Sequence, residues 1–221
     1  SGLKSNVEAT NLKHKELVQH HCTDWDFILS RAEANGRVVI VDDGAINVVA
    51  PDTQQSPAMQ VAYGTTLLEF EAEMDARTQW NSVEAKSWDY SKQAMFERTS
   101  DSASVREPGN LAGTNLAKAI DLKKLELRHS GQLVESELQA WADAAMLKSR
   151  LAKICGRAKF FGFSGIEPGK VIELQGVGKR FNGRAYVSAV RHNLGNGAWD
   201  TNVQFGLNPR WFSQSEDIGP V

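Results

Sequence analysis

Cysteine is scarce: the 221 residues hold two, Cys22 and Cys155. Two in a chain of this length build no disulfide framework. They read as reduced thiols of a protein made in a cytoplasm, with a single Cys22–Cys155 bridge left open. No run of about 18 apolar residues occurs, so no transmembrane helix and no stable membrane insertion are expected of this segment. Ser1 to Glu8 has neither an apolar stretch nor a small-residue cleavage site, so no signal peptide is expected. Excess positive charge is missing too. Lys and Arg number 25 against 27 Asp and Glu, scattered along the chain, for a net charge of −2. A nucleic-acid binder would carry a basic stripe, so no nucleic acid is expected as a partner. What is present is ordinary globular composition, 41% hydrophobic and 24% charged, in a length that suits one large domain or two small ones.

The motifs of catalysis are also incomplete. Gly176-Val177-Gly178-Lys179 invites comparison with a phosphate-binding loop. That loop needs a glycine where Glu173 stands and Ser or Thr where Arg180 stands, and a helix should follow rather than a strand. His20-His21-Cys22 points three consecutive side chains in different directions, so it cannot close a tetrahedron around zinc. Glu69, Glu71 and Glu73 lie two apart on one strand, about 7 Å between neighbours, a separation that glycosidases use. A solvated strand face gives the same pattern, and no sugar-sized cleft is signalled. There is no Gly-x-Ser-x-Gly elbow, and histidines adjacent to Cys22 in sequence are not the spatial pair a thiol nucleophile needs. His192, at a strand end, reads as a hydrogen-bonded structural residue. No catalytic, cofactor-binding or metal-ligating residue is therefore assigned, no cofactor is expected, and the chain reads as no enzyme.

The patterns that are present describe an α+β chain. Thr23 with Asp26 forms a capping box before Trp25, Ile28, Leu29 and Ala32, which share one helical face. Asn35-Gly36 ends that helix, spanning about 23–35. Arg37 to Val41 and Ala45 to Val49, joined by Asp-Gly, predict a tight hairpin. Leu68, Phe70, Ala72 and Met74 alternate with acidic residues, a strand with one buried face. Val83 to Tyr90 predicts another strand. Ser91 to Leu116 loses all periodicity and is expected to be a long, partly mobile loop. Leu122 to Arg128 predicts a strand. Ser136 to Ile154 predicts the longest helix, about 136–155, capped by Ser136 with Gln139, with Lys148, Arg150 and Lys153 offsetting the negative end of its dipole and Gly156 as its stop. Strands over Ala158–Phe163, Val171–Leu174, Ala185–His192 and Ala198–Leu207, with glycine turns between, predict a mainly antiparallel, closed or partly closed β-barrel in the last third. The expected division is a small α/β portion over 1–57, a barrel-like domain over 58–212 holding the 91–116 loop and the long helix, and a linker over 213–221.

Two blocks carry a family resemblance. Thr23-Asp24-Trp25-Asp26-Phe27-Ile28-Leu29-Ser30-Arg31-Ala32-Glu33-Ala34-Asn35-Gly36, leading into a hairpin, resembles a signature of the VgrG and phage late control gene D family. Pro168-Gly169-Lys170-Val171, Gly176-Val177-Gly178, Phe181-Asn182-Gly183-Arg184-Ala185-Tyr186-Val187 and Val190-Arg191-His192 together resemble that family's barrel hairpin. Trp88-Asp89-Tyr90 is similar to a third, weaker element. The likeness runs from about residue 15 to 207. It implies small β-barrels with an inserted α/β portion, assembled as a homo-trimeric hub that joins an inner tube protein to a spike in a contractile injection apparatus, type VI secretion or phage tail baseplate. It implies inner tube, spike-tip or effector proteins as partners, synthesis in the bacterial cytoplasm, and export on firing or a place in a virion tail. A full member has a further barrel before this region and a spike after it, so the chain is expected to be a fragment or a trimmed relative, with 213–221 leading towards the spike. The residues of these motifs serve folding and assembly, so no catalytic role is implied. Two other functions stay open: a tail-associated peptidoglycan hydrolase domain, and an effector-carrying adaptor using the Ser91–Leu116 segment.

Overall fold

Helix α1 (Asp24–Ala34) begins where its cap dictates. Thr23 Oγ1 accepts from the Asp26 N–H at 3.2 Å, and the Asp26 carboxylate accepts from the Thr23 N–H at 3.4 Å. Two β-branched strands follow, β2 (Val38–Asp42) and β3 (Ala45–Val49). Asp43 and Gly44 between them both take the left-handed conformation, φ 41° and 73°, as a two-residue hairpin turn requires. An N-terminal strand that no sequence pattern announces, β1 (Lys4–Val7), pairs parallel with β3, giving the order β1-β3-β2. This computed structural model describes residues 2–10, 12–14 and 16–215.

The chain continues through β4 (Met59–Ala62), β5 (Leu67–Met74), β6 (Ser82–Asp89), β7 (Ala94–Ser100), α2 (Gly113–Ala119), β8 (Lys124–His129) and α3 (Glu135–Leu151). It ends with β9 (Ile154–Phe161), β10 (Val171–Gln175), β11 (Gly183–Gly195), β12 (Ala198–Phe205) and the short α4 (Phe212–Ser215). Six strands form one sheet in the order β4-β10-β11-β12-β9-β5. Its two edge strands are consecutive in sequence, and Tyr63 bridges Leu67 between them. The edges therefore meet at one corner, and the sheet curls into a partly closed barrel. Its interior is apolar: Val61, Phe160, Ile172, Val187, Val203 and Phe205 are buried there, and Phe70 stacks on Phe205 with ring centres 6.0 Å apart. The last third supplies only four of these strands. β4 and β5 come from before residue 75, and β4 pairs parallel with β10.

A second sheet, order β7-β6-β8, lies on α3. Val83 and Ala85 meet Leu138, Ala142, Ala145 and Met146 in its core. The stretch expected as a loop over 91–116 instead contains β7, antiparallel to β6, and the start of α2. The alternation in β7 was hidden because its more covered positions hold Phe96, Arg98 and Ser100; pairing with β6 overrides a weak propensity. In β5 a bulge between Leu67 and Glu69 turns Leu67 into the core and leaves Leu68 exposed, reversing the sequence expectation for that one residue. Helix α3 starts after Val134 without any side-chain cap, so the Ser136–Gln139 box does not form; Gln139 donates to the Thr99 carbonyl and to Asp143. Its C-cap is Ala152, and Gly156 lies inside β9. A side chain at Gly156 would meet the Glu71 carbonyl at 2.3 Å, so the glycine serves strand approach, not helix termination. Of the expected linker over 213–221, residues 213–215 belong to α4 and residues 216–221 lie outside the described residues.

Candidate functional site

The side chains singled out in the sequence do not converge. Glu69, Glu71 and Glu73 stand on the exposed side of β5. Glu69 receives Lys159 at 3.2 Å and Glu71 receives Arg157 at 3.1 Å, each directly across the β5–β9 ladder, while Glu73 lies 4.0 Å from Arg77. All three side chains are largely exposed, which gives none of them the desolvated pocket of a general acid. His192 Nδ1 lies 3.0 Å from Thr201 Oγ1, and its ring meets Trp199 edge-on. Gly176 and Gly178, both at positive φ, shape a turn in which Asn182 Oδ1 accepts from the Val177 N–H. His20, His21 and Cys22 lie in the irregular segment before α1. Both cysteines are free thiols. Burial pushes the Cys155 thiol up to about 11, and its Sγ lies 3.3 Å from the Leu207 carbonyl, so it is a poor nucleophile. Among the described residues, no three His, Cys, Asp or Glu side chains group closely enough to hold a metal ion, and no helix is long and apolar enough to cross a membrane.

A polar junction at the C-terminal end of α3 was missed by sequence reasoning. Lys153 is fully buried. Its Nζ donates to the carbonyls of Pro108 at 2.8 Å and Leu111 at 2.6 Å, and contacts Glu107 at 2.7 Å. Arg150, also buried, donates to the Trp80 carbonyl at 2.7 Å and to Gln79 Oε1 at 3.3 Å. Glu107 in turn accepts from the Gly113 N–H at 2.8 Å, the first amide of α2. Desolvation lowers the pKa of Lys153 while Glu107 opposes it. With carbonyls and a carboxylate around the ammonium, the lysine is a clamp holding residues 107–113 against α3 and the barrel rather than a free amine. The sequence presents Arg150 and Lys153 as dipole-compensating charges in solvent. They are buried because the end of α3 runs against the segments that hold Gln79 and Trp80 and Glu107 to Leu111. The only sequence signal available was the position of Lys153 directly before the apolar Ile154.

Nearer the first hairpin, α1, β2, α3 and the turn before β10 enclose a half-open cavity of about 330 Å³. Its walls are mainly apolar, with Leu29, Leu147, Pro168 and Leu207 among them, and Lys148, Glu33 and Tyr186 supply polar groups. Burial pushes Lys148 down to about 8 and Tyr186 up to about 12. Lys148 is paired with Glu33 and lies 5.2 Å from the centre of the Trp211 ring. Glu33 also accepts from the Phe212 N–H at 2.6 Å, tying α4 to α1.

This architecture can be set beside known proteins. The family model described as Alg8 N-terminal domain matches residues 1–196. The chain belongs to that family. No curated protein matches it. Among solved structures, this family member is similar to the tail protein from Neisseria meningitidis MC58, with TM-score 0.62 and 14% identity over 95% of this chain and 63% of that one. It is similar to the 43 kDa tail protein of prophage MuSo2 from Shewanella oneidensis, with TM-score 0.64 and 8% identity over 94% and 62%. A third likeness is to prophage tail protein gp18 from Listeria monocytogenes EGD-e, with TM-score 0.50 and 11% identity over 92% and 60%. At such identities the likeness is one of fold. The chain spans less than two thirds of the length of each of these proteins.

Proposed function

We propose that the chain is a structural, non-enzymatic part of the hub of a contractile injection apparatus, a VgrG-like or phage late control gene D-like component that joins an inner tube to a spike as a trimer. One observation carries this reading: the half-barrel and the attached helix–hairpin portion together share the fold of two tail proteins over at least 94% of this chain. The two motif blocks support it, because they fall on α1 with its hairpin and on β10–β11, the parts that meet around the first cavity. The neutralised glutamate ladder and the fully occupied lysine clamp fit a scaffold, which needs shape and self-complementary surfaces rather than reactive groups. Inner tube, spike-tip or effector proteins are the partners that this reading gives, with synthesis in the cytoplasm and assembly into the apparatus. The division at residues 57 and 58 belongs to the same proposal.

Light scattering on the full-length parent protein tests the reading. A trimer is the expected mass, and a strict monomer at micromolar concentration overturns it. Peptidoglycan turbidity separates it from the hydrolase alternative: clearing that is lost in Glu71→Gln would mean an enzyme. The adaptor alternative, placed on the Ser91–Leu116 segment, now falls on β7 and its flanks, so a pull-down with an effector after replacing the exposed Asp101, Ser102 and Ser104, which leaves the Lys153 clamp intact, distinguishes it.

A further inference from the structure

Asn-Gly occurs three times in this chain, at Asn35-Gly36, Asn182-Gly183 and Asn196-Gly197. The pair carries a latent reaction. The backbone nitrogen of the glycine can attack the side-chain amide carbon of the asparagine, and no Cβ on the glycine shields that nitrogen. The reaction needs a carboxamide free to turn and a peptide unit free to swing towards it. The structure grants both freedoms at one of the three positions.

Asn35, the C-cap of α1, is tied on every side. Its Nδ2 donates to the Arg31 carbonyl at 2.8 Å and its N–H to the Ala32 carbonyl at 3.1 Å. The nitrogen that would attack it, in the Gly36 N–H, donates to the Glu33 carbonyl at 2.9 Å. Asn182 is tied as firmly. Its Oδ1 accepts from the Val177 N–H at 3.0 Å, and its N–H donates to the Gly178 carbonyl at 2.9 Å. Its own carbonyl accepts from the Gly109 N–H at 2.8 Å, which fixes the peptide unit leading to Gly183. Both asparagines are half-buried.

Asn196 and Gly197 are the two-residue turn between β11 and β12, at φ 50° and 74°. They are exposed, as are Gly195 and Ala198 on either side. Neither the Asn196 carboxamide nor the Gly197 N–H makes a hydrogen bond among the described residues. A side chain at Gly195 or Gly197 would meet nothing within 4 Å. A glycine on each side of Asn196 lets the tip reorient, and an exposed tip opens without disturbing the barrel behind it.

We propose that Asn196 is a self-modification site, at which the folded chain exchanges its side-chain amide for an acid. The Gly197 nitrogen bonds to the Asn196 side-chain carbon. The carbon–nitrogen bond of the carboxamide breaks, and the Gly197 proton leaves with that nitrogen as ammonia. Water then opens the five-membered imide at either carbonyl, its hydroxyl going to the carbon and its proton to the released nitrogen. One opening gives aspartate, the other an isoaspartate whose backbone runs through the side chain. Either sets a carboxylate beside Leu194 and Trp199, which are 74% and 40% exposed. The isoaspartyl form also lengthens the turn by a backbone carbon, which the pairing of Gly195 with Ala198 does not accommodate. The site rests on the turn alone and is independent of the hub reading.

Peptide mapping by mass spectrometry, on the whole chain aged in mildly alkaline buffer, tests this. Three hydrogen bonds must open at Asn35 or at Asn182, each slowing the reaction about fivefold, so Asn196 should convert on the order of a hundredfold faster than either. The aged chain should gain a negative charge, read as later elution in anion exchange, and an isoaspartyl methyltransferase should label it at that residue. In urea the three pairs should convert within about threefold of one another, because the anchors are gone. Asn196→Gly keeps a residue suited to the turn and removes the amide, so it should lose both the charge shift and the methyl label. The proposal is overturned by equal rates at the three pairs in the folded chain, by faster conversion at Asn35 or Asn182, or by a charge shift that survives in Asn196→Gly. It is also overturned if Asn196 stays intact in the folded chain while the urea-unfolded chain converts.

Discussion

Two regions of this molecule use the same residue types to opposite effect. At the end of α3, Lys153, Arg150 and Glu107 are enclosed, and their hydrogen bonds go largely to backbone carbonyls and amides. On the outer face of the β7-β6-β8 sheet, Glu84, Lys86, Lys124, Glu126 and Arg128 form a lattice of ion pairs, partly covered at Glu84 and Lys86 and open to solvent at Lys124 and Arg128, with Lys86 2.6 Å from Glu84 and Arg128 2.7 Å from Glu126. The lattice has more ion pairs at similar distances, yet it has the weaker claim on stability. Its outer charges, Lys124 and Arg128, lose little hydration when paired, and salt screens them. The enclosed charges have lost their water, so each depends on its partner. Counting salt bridges would rank the two regions the wrong way round.

Substitutions break or sharpen that contrast. Lys153→Met should cost about 3–5 kcal/mol in urea unfolding, because it strands Glu107 and two buried carbonyls. A loss below about 1 kcal/mol would place the junction with the surface lattice. Glu33→Gln tests an intermediate case, a half-buried pair holding α4, and should cost about 2 kcal/mol. Hydrogen exchange at residues 212–215 should accelerate with it. Thr23→Ala is exposed but directed, since the threonine satisfies a helix amide, and should cost about 1 kcal/mol by thermal melting. A pH-dependent effect comes from the Cys155 thiol, held protonated to about 11 in the fold against 9.0 ordinarily. Between those values the unfolded chain has released a proton that the folded chain keeps. Stability should therefore fall as pH rises from 9 to 11, and Cys155→Ala should flatten that slope in denaturation midpoints. Glu84→Gln should leave the midpoint where it is at physiological salt; a clear destabilisation would remove the contrast altogether.

The same division runs through what the sequence made legible. The capping box of α1, the Asp-Gly hairpin and the glycine turns between β10, β11 and β12 were all readable, because each is a contact between near neighbours. The α+β class and the partly closed barrel followed from period and spacing. β7 was not readable, because its ladder partner β6 gives it order and its covered face holds Arg98 and Ser100. The start of α3 misled, because Gln139 found the Thr99 carbonyl and Asp143 instead of a local cap. The clamp at Lys153 was invisible, since its oxygens lie more than 40 residues away. The free edge of β2 was equally hidden: the hairpin could be read, but nothing local says which of its two edges β1 covers.

The sequence by itself determined the turns, the first helix cap and the apolar faces, because their energies are settled within a few residues. Only the tertiary structure decided which charges are buried, which strand edges stay open and how β4 and β5 complete the barrel. Those outcomes depend on desolvation and pairing between distant segments, and neither quantity exists until the chain has folded back on itself.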